Sequence, residues 1–180
     1  MILTTERLHL RPVTLADTDA LFRIYGDPAT NQFNPAGPFP DIGHAQQVMA
    51  QWLHHWQMNN FGNFAITLSD VPEHVIGFGG LSVRTYESMT INNLGYRLAT
   101  EAWGQGLATE FAGRLLPFGF DMLGLGDISA VVRQHHLASQ RVLEKIGLRQ
   151  VGEVHDVPNA PASLVYCLTQ DEWRQASDKP

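Results

Sequence analysis

A single cysteine, Cys167, leaves the chain without any internal disulfide and without the cysteine cluster that a zinc site takes. Its place in an alternating stretch reads as a small buried residue rather than a nucleophile. No apolar run is long enough for a membrane span or the core of a signal peptide, so no membrane partner is expected and the cytoplasm is the default location. Basic residues are scarce and scattered: 12 Lys and Arg stand against 18 Asp and Glu, a formal charge of −6 with neutral histidines. Neutralising phosphates takes a concentrated Lys/Arg face, so nucleic acid is not an expected partner either. The acidic balance favours a cationic acceptor, though only weakly. The adjacent pairs His54/His55 and His135/His136 point in different directions on a helix, and HExxH is absent, so no metal is expected. GxSxG, the mark of a serine hydrolase, is absent too.

What remains is an ordinary globular composition, 44% hydrophobic and 17% charged over 180 residues, enough for one domain spanning 1–180 with a substantial core. Alternation over Leu8 to Pro12 predicts a first strand. A helix opening near Thr14 follows, with Asp17 and Asp19 at its positive end. A Pro/Gly loop covers Asn34 to Pro40, and a second helix runs from about Ile42 to Met58 with Val48, Trp52, Leu53 and Trp56 at helical spacing. Asn63 to Leu68, Val75 to Val83 and Thr90 to Leu98 read as an antiparallel meander. Gly106 to Leu123 reads as a helix kinked or ended by Pro117. Asp127 to Val132 is a strand, His136 to Ile146 a helix closed by Gly147, and Leu148 to Val154 and Ser163 to Leu168 are two last strands. The expected class is α+β, with one mixed, mostly antiparallel sheet of about seven strands and about four helices.

The 16 glycines are unevenly placed, and two stand at a telling point. In YRLATEAWGQGLATEFA, Tyr96 to Ala112, a strand runs into a turn with Gly104 and Gly106, and a helix starts at once. Glycine lets backbone bend sharply and approach a ligand closely, while the free N–H groups and dipole of a helix's first turn attract anions. A P-loop requires a Lys followed by Ser or Thr, which is missing here. A dinucleotide fingerprint counted from Gly104 meets Thr109 at its third small position and follows the wrong kind of sheet. Gly104 and Gly106 also fit a plain tight turn.

The same residues resemble a known family. Trp-Gly-Gln-Gly-Leu-Ala, Trp103 to Ala108, is similar to the Arg/Gln-x-x-Gly-x-Gly/Ala pyrophosphate motif of the GNAT superfamily of N-acetyltransferases, with Trp103 at the first position as in the branch of ribosomal-protein N-terminal (Rim-type) acetyltransferases. TERLHLRP at Thr5 to Pro12, Asp27–Pro28, GYRL at Gly95 to Leu98, and HLASQRVLEKIGL at His136 to Leu148 resemble that branch in the same order.

The resemblance implies direct acetyl transfer from acetyl-CoA to a primary amine, either a protein N-terminus or a small molecule, on a sheet splayed between its fourth and fifth strands. It implies pantetheine against the backbone of Leu98, Ala99 and Thr100, and pyrophosphate on the turn Trp103, Gly104, Gln105, Gly106, Leu107, Ala108 and Thr109. The leaving thiolate needs a proton. Where the family carries a helical Tyr this chain has Leu143, which leaves Ser139 or a bound water as donor. His136 replaces the family's Asn: it either weakens a CoA hydrogen bond, replaces it with an imidazole contact, or places a titratable group beside the cofactor, and it also fits a helix-capping or surface histidine. For the base, Asn93 stands where the branch often has an acid, so Asp156, His155 and Glu101 are the candidates, each also a plausible surface residue. A monomer or a homodimer is expected. The missing helical Tyr and the neutral Asn93 also motivate an alternative, a non-catalytic acyl-CoA sensor or interaction module of the same fold.

Overall fold

A computed structural model describes residues 1–178. The chain begins with a short strand, β1 (Leu3–Thr4), and β2 (Leu8–Pro12), whose Leu8 and Leu10 are fully buried. A tight 3₁₀ turn at Leu15–Asp17 then leads into α1 (Thr18–Tyr25). The Asp17 carboxylate accepts from the Thr14 N–H and pairs with Arg11, so the acid expected to serve the helix dipole also locks the helix to β2. Helix α2 (Ile42–Asn59) is capped by Asp41, which accepts from His44 N–H at 2.8 Å.

The meander follows as β3 (Asn63–Leu68), β4 (Val71–Tyr86) and β5 (Met89–Leu98). Strand β4 is far longer than the expected Val75 to Val83 because its exposed ends continue the ladder without adding buried residues. Helix α3 (Leu107–Pro117) ends at the proline, which has no N–H to continue the ladder, and the chain widens into a π turn at Phe118–Met122, closed by Leu123 N–H to Phe118 O. The last elements are β6 (Asp127–Val132), α4 (Leu137–Ile146), β7 (Arg149–Val154), β8 (Ser163–Thr169) and α5 (Gln170–Ser177).

The described residues thus form eight strands and five α-helices, one more of each than expected from the sequence. The strand order is β1-β2-β3-β4-β5-β6-β8-β7, and every neighbouring pair is antiparallel except β5–β6. The two additions are the two-residue β1 and the amphipathic α5, which has no buried residue but stacks Trp173 on Phe120 at 5.1 Å.

The sheet separates two cores. Helices α1 and α2 cover one face with Leu21, Ile24 and Met49 against Phe78 and Ala65. On the other face α3 and α4 bring Phe111, Leu115 and Leu143 onto Leu81, Leu94 and Ile128. Trp52 and Trp56 pack inward, Trp52 on Tyr25 and Phe78, Trp56 on Phe64 with its Nε1 donating to Asn63 O. These aromatics therefore belong to the helix–sheet packing.

Candidate active site

Parallel strands β5 and β6 meet at one bridge, Asn93 opposite Ser129, and then part. The strands expected to splay are these two. Between them opens a cavity of about 720 Å³, with Leu94 to Leu98 on one wall, Ala130 to Arg133 on the other, and α3 and α4 behind. A neighbouring pocket of about 380 Å³ shares Phe33 and Arg133 with it.

The glycine turn closes one end. Gly104 and Gly106 adopt φ of +73° and +76°, a left-handed conformation that costs other L-residues about 1 kcal/mol. A Cβ built on Gly104 meets nothing within 4 Å, so space is left open over that backbone. The first intrahelical bond of α3 runs from Glu110 N–H to Gly106 O, which leaves the N–H groups of Leu107, Ala108 and Thr109 without an acceptor within the helix. All three residues line the cavity, as do Leu98, Trp103, Gly104 and Gly106. Such an N-terminus suits a diphosphate, and the lining carries the donors for it. Ala99 and Thr100 turn away: Ala99 N–H donates to Ile76 O, and the pair enters a 3₁₀ turn over Thr100–Ala102. Gln105 faces outward, its amide on Glu101 O and its own carbonyl on Arg7.

At the back of the cavity, Tyr96 Oη lies 3.3 Å from Ser139 Oγ, joining β5 to the first turn of α4. Tyr96 stands edge-on to Phe111 at 6.2 Å, and the strand opposite is glycine for that reason: a Cβ on Gly79 would fall 2.7 Å from Tyr96 Cβ and 2.8 Å from the Phe111 ring. Burial raises the Tyr96 phenol above its ordinary range, and the bond to Ser139 only partly offsets that.

The remaining candidates divide. His136 stands at the N-terminal boundary of α4 without a side-chain capping hydrogen bond, lines the cavity and stacks on Phe33, with ring centroids 4.2 Å apart and planes 11° apart. Burial, helped by the Arg97 charge, lowers its pKa, so it is neutral at pH 7. Asp156 also lines the cavity, but Arg133 Nη1 lies 3.2 Å from its Oδ1 and Ser163 Oγ donates to the same oxygen at 2.8 Å. Arg133 extends the clamp to Ser163 Oγ and Pro161 O. His155 is exposed and meets Glu87 only through its backbone N–H. Glu101 is also exposed, beside His74 at 3.1 Å and Arg23 at 3.5 Å, away from the cavity lining. His155 and Glu101 are thus surface residues. Asn93 is buried at the bridge.

Known proteins resemble this chain in sequence and in fold. Residues 7–149 match the model described as the acetyltransferase (GNAT) domain. The chain belongs to the GNAT acetyltransferase family. Among similar proteins is one named uncharacterized N-acetyltransferase p20 of Bacillus licheniformis, 30% identical over 164 residues, covering 91% of this chain and 90% of the relative. The crystal structure of an acetyltransferase from Agrobacterium tumefaciens str. C58 superposes with a TM-score of 0.78 at 27% identity, over 93% of this chain and 94% of that one. Mycobacterium smegmatis RimJ in complex with CoA-disulfide, 22% identical, has the same fold at a TM-score of 0.72, over 92% and 83% of the two chains.

Within this GNAT fold three further residues line the cavity: Tyr96, Arg97 and Phe33. Tyr96 and Arg97 lie inside the GYRL segment that carries the resemblance, and period-two alternation sends them to opposite faces of β5. Tyr96 reaches α3 and α4, whereas Arg97 lies over the Tyr25 ring of α1 at 4.3 Å. Phe33 sits in an irregular loop, where no periodicity marks it.

Proposed function

We propose that the chain is an acetyl-CoA-dependent N-acetyltransferase that acetylates a primary amine by direct attack, the amine belonging to a protein N-terminus or to a small molecule. The observation that carries this reading is the shared cavity: two left-handed glycines and the free N–H groups of α3 face the same space as the Tyr96–Ser139 pair. RimJ, whose fold this chain shares, is described in complex with CoA-disulfide, which supports the same occupant here. Acetyl-CoA supplies an acetyl thioester, whose carbonyl carbon bonds to the amine nitrogen while the C–S bond breaks and the sulfur leaves as a thiolate.

This chain's residues then have distinct tasks. The turn at Trp103 to Thr109 binds phosphate through backbone N–H groups, so glycine's missing Cβ matters more there than side-chain identity. Tyr96 holds a proton throughout the neutral range and is the candidate proton donor to the departing thiolate, with Ser139 Oγ fixing the phenol. Tyr96 thereby supplies the hydroxyl whose absence from the α4 helix motivates the sensor alternative. Asp156, already clamped by Arg133 and Ser163, is a weak candidate for a general base, which favours an acceptor that loses its proton readily. A cytoplasmic location is part of the proposal, because the reaction draws on acetyl-CoA.

Acetyl-CoA binding and turnover across a panel of amines and N-terminal peptides test the reading. Wild type should bind acetyl-CoA, Gly106→Trp should not, and thiol release should depend on an amine. Equal binding by both proteins would remove the cradle, and binding without turnover on any amine would leave the sensor.

A further inference from the structure

The charge of the cavity is opposite to that of the chain. The net charge is −6, yet the lining holds Arg84, Arg97 and Arg133 against one carboxylate, Asp156. Asp156 is spent on Arg133. Among the described residues neither Arg84 nor Arg97 has a carboxylate partner.

Arg97 is held in place. Its guanidinium lies over the Tyr25 ring, and Nη1 donates to Asn31 Oδ1 at 2.9 Å. Asn31 is itself buried, its amide bound to Tyr25 O and Asp27 O. A guanidinium carries five N–H donors in a rigid fork, and this single bond occupies one of them. Arg84 stands farther along the same face of the sheet, exposed, its guanidinium 5.1 Å from the Tyr86 ring.

We infer that the acceptor is an amine that also carries an anionic group, a carboxylate or a phosphate, which Arg97 binds. The inference rests on the acetyltransferase reading for what happens at the amine, and adds the chemical class of what is bound. A partly buried guanidinium without a counter-ion is a costly arrangement unless a ligand completes it. Carboxylate and phosphate are the groups its planar fork fits. A second effect follows. The Arg97 charge near the acceptor disfavours its ammonium form and so helps it lose a proton, in a cavity whose one carboxylate is already engaged. A polyamine would meet the same field as repulsion.

The test compares amines differing only in the anion: an amino acid with its amide, O-phosphoethanolamine with ethanolamine, and N-terminal peptides bearing Glu or Gln at the second residue, with spermidine as a polycation. The anionic member of at least one pair should be preferred about tenfold or more in kcat/KM, and which pair responds distinguishes a small carboxylate, a phosphate and an acidic peptide. Arg97→Gln should abolish the preference without changing acetyl-CoA affinity, while Arg97→Lys retains part of it. Equal use of charged and neutral partners, or spermidine as the best acceptor, would overturn the inference while the acetyltransferase reading stands. If no amine is acetylated, calorimetry on the CoA-saturated protein decides: tighter binding of the anionic partner, lost in Arg97→Gln, keeps the inference without the transfer reading. Equal binding ends it.

Discussion

Arg7 and Glu110 are tied together twice: Arg7 Nε donates to Glu110 Oε1 at 2.8 Å, and the Arg7 backbone N–H donates to Oε2 at 2.9 Å. Thr5 Oγ1 donates to the same carboxylate, and Arg7 Nη1 reaches over to Gln105 O. The segment leading into β2 thus braces both the first turn of α3 and the carbonyl between the two left-handed glycines.

Arg7→Ala should therefore separate binding from stability. The pair is partly exposed, with Arg7 45% accessible, so its loss should cost about 1 kcal/mol or less in unfolding. Acetyl-CoA affinity should fall by about threefold to tenfold, because the turn loses its brace. Calorimetric titration beside a thermal melt measures both. A large loss of stability with unchanged affinity would assign Arg7 to the fold alone.

Tyr96 should act through its proton. Tyr96→Phe is expected to lower kcat about 100-fold with KM for acetyl-CoA nearly unchanged, and Ser139→Ala to lower it less. The double variant should be no worse than about the Tyr96→Phe single, since the two hydroxyls act as one unit. The sign of the pH effect is fixed: a phenol donates only while protonated, so wild-type activity should fall as pH rises through its raised pKa, at the alkaline end. That limb should vanish in Tyr96→Phe. Its persistence would leave Tyr96 a packing residue.

Asp17 should govern acid stability. Burial alone would raise its pKa, but the Arg11 guanidinium and the Thr14 N–H outweigh burial and hold it below the ordinary carboxylate range. The native state thus binds this proton less readily than the unfolded chain. Its stabilisation is present above the unfolded pKa of about 4 and disappears as pH falls through the lower native value. Asp17→Asn should cost about 2 kcal/mol at pH 7, with the difference from wild type shrinking on acidification below pH 5. Urea melts at several pH values would show it, and a gap constant down to pH 3 would contradict the pairing.

What the residues disclose in advance depends on how strongly each is marked. Strands β3 and β6 are legible to the residue because each opens after a glycine, Gly62 or Gly126, and its apolar run ends where polar residues begin, at Ser69 or Arg133. Strand β1 is two residues long and carries no period. Helix α5 is too polar to stand out, although Thr169 and Glu172 form a capping box at its start. In the site, the glycine turn is readable because backbone constraint leaves a motif, whereas Ser139 is reached only through the family resemblance of the segment His136 to Leu148. The Tyr96–Ser139 contact spans 43 positions and the Arg97–Asn31 contact 66, and no local pattern discloses such distances. Glu101 and His155 look chemically apt in a string of letters, but three-dimensional placement puts both at the surface.

The single bridge between Asn93 and Ser129 has a mechanical meaning. Strands β1 to β5 and strands β6 to β8 are two plates that share a single ladder bridge, with Asn92 Nδ2 donating to Asp127 O beside it, so backbone pairing holds the gap at that end alone. The packing behind the joint touches both plates: a Cβ added at Gly119 would come within 2.7 Å of Ile128 Cδ1 on one and 3.0 Å of Leu81 Cδ1 on the other, the free ends of two side chains. One closely packed spot behind the hinge thus meets both plates at once, although neither Gly119 nor the side chains it touches belongs to the cavity lining.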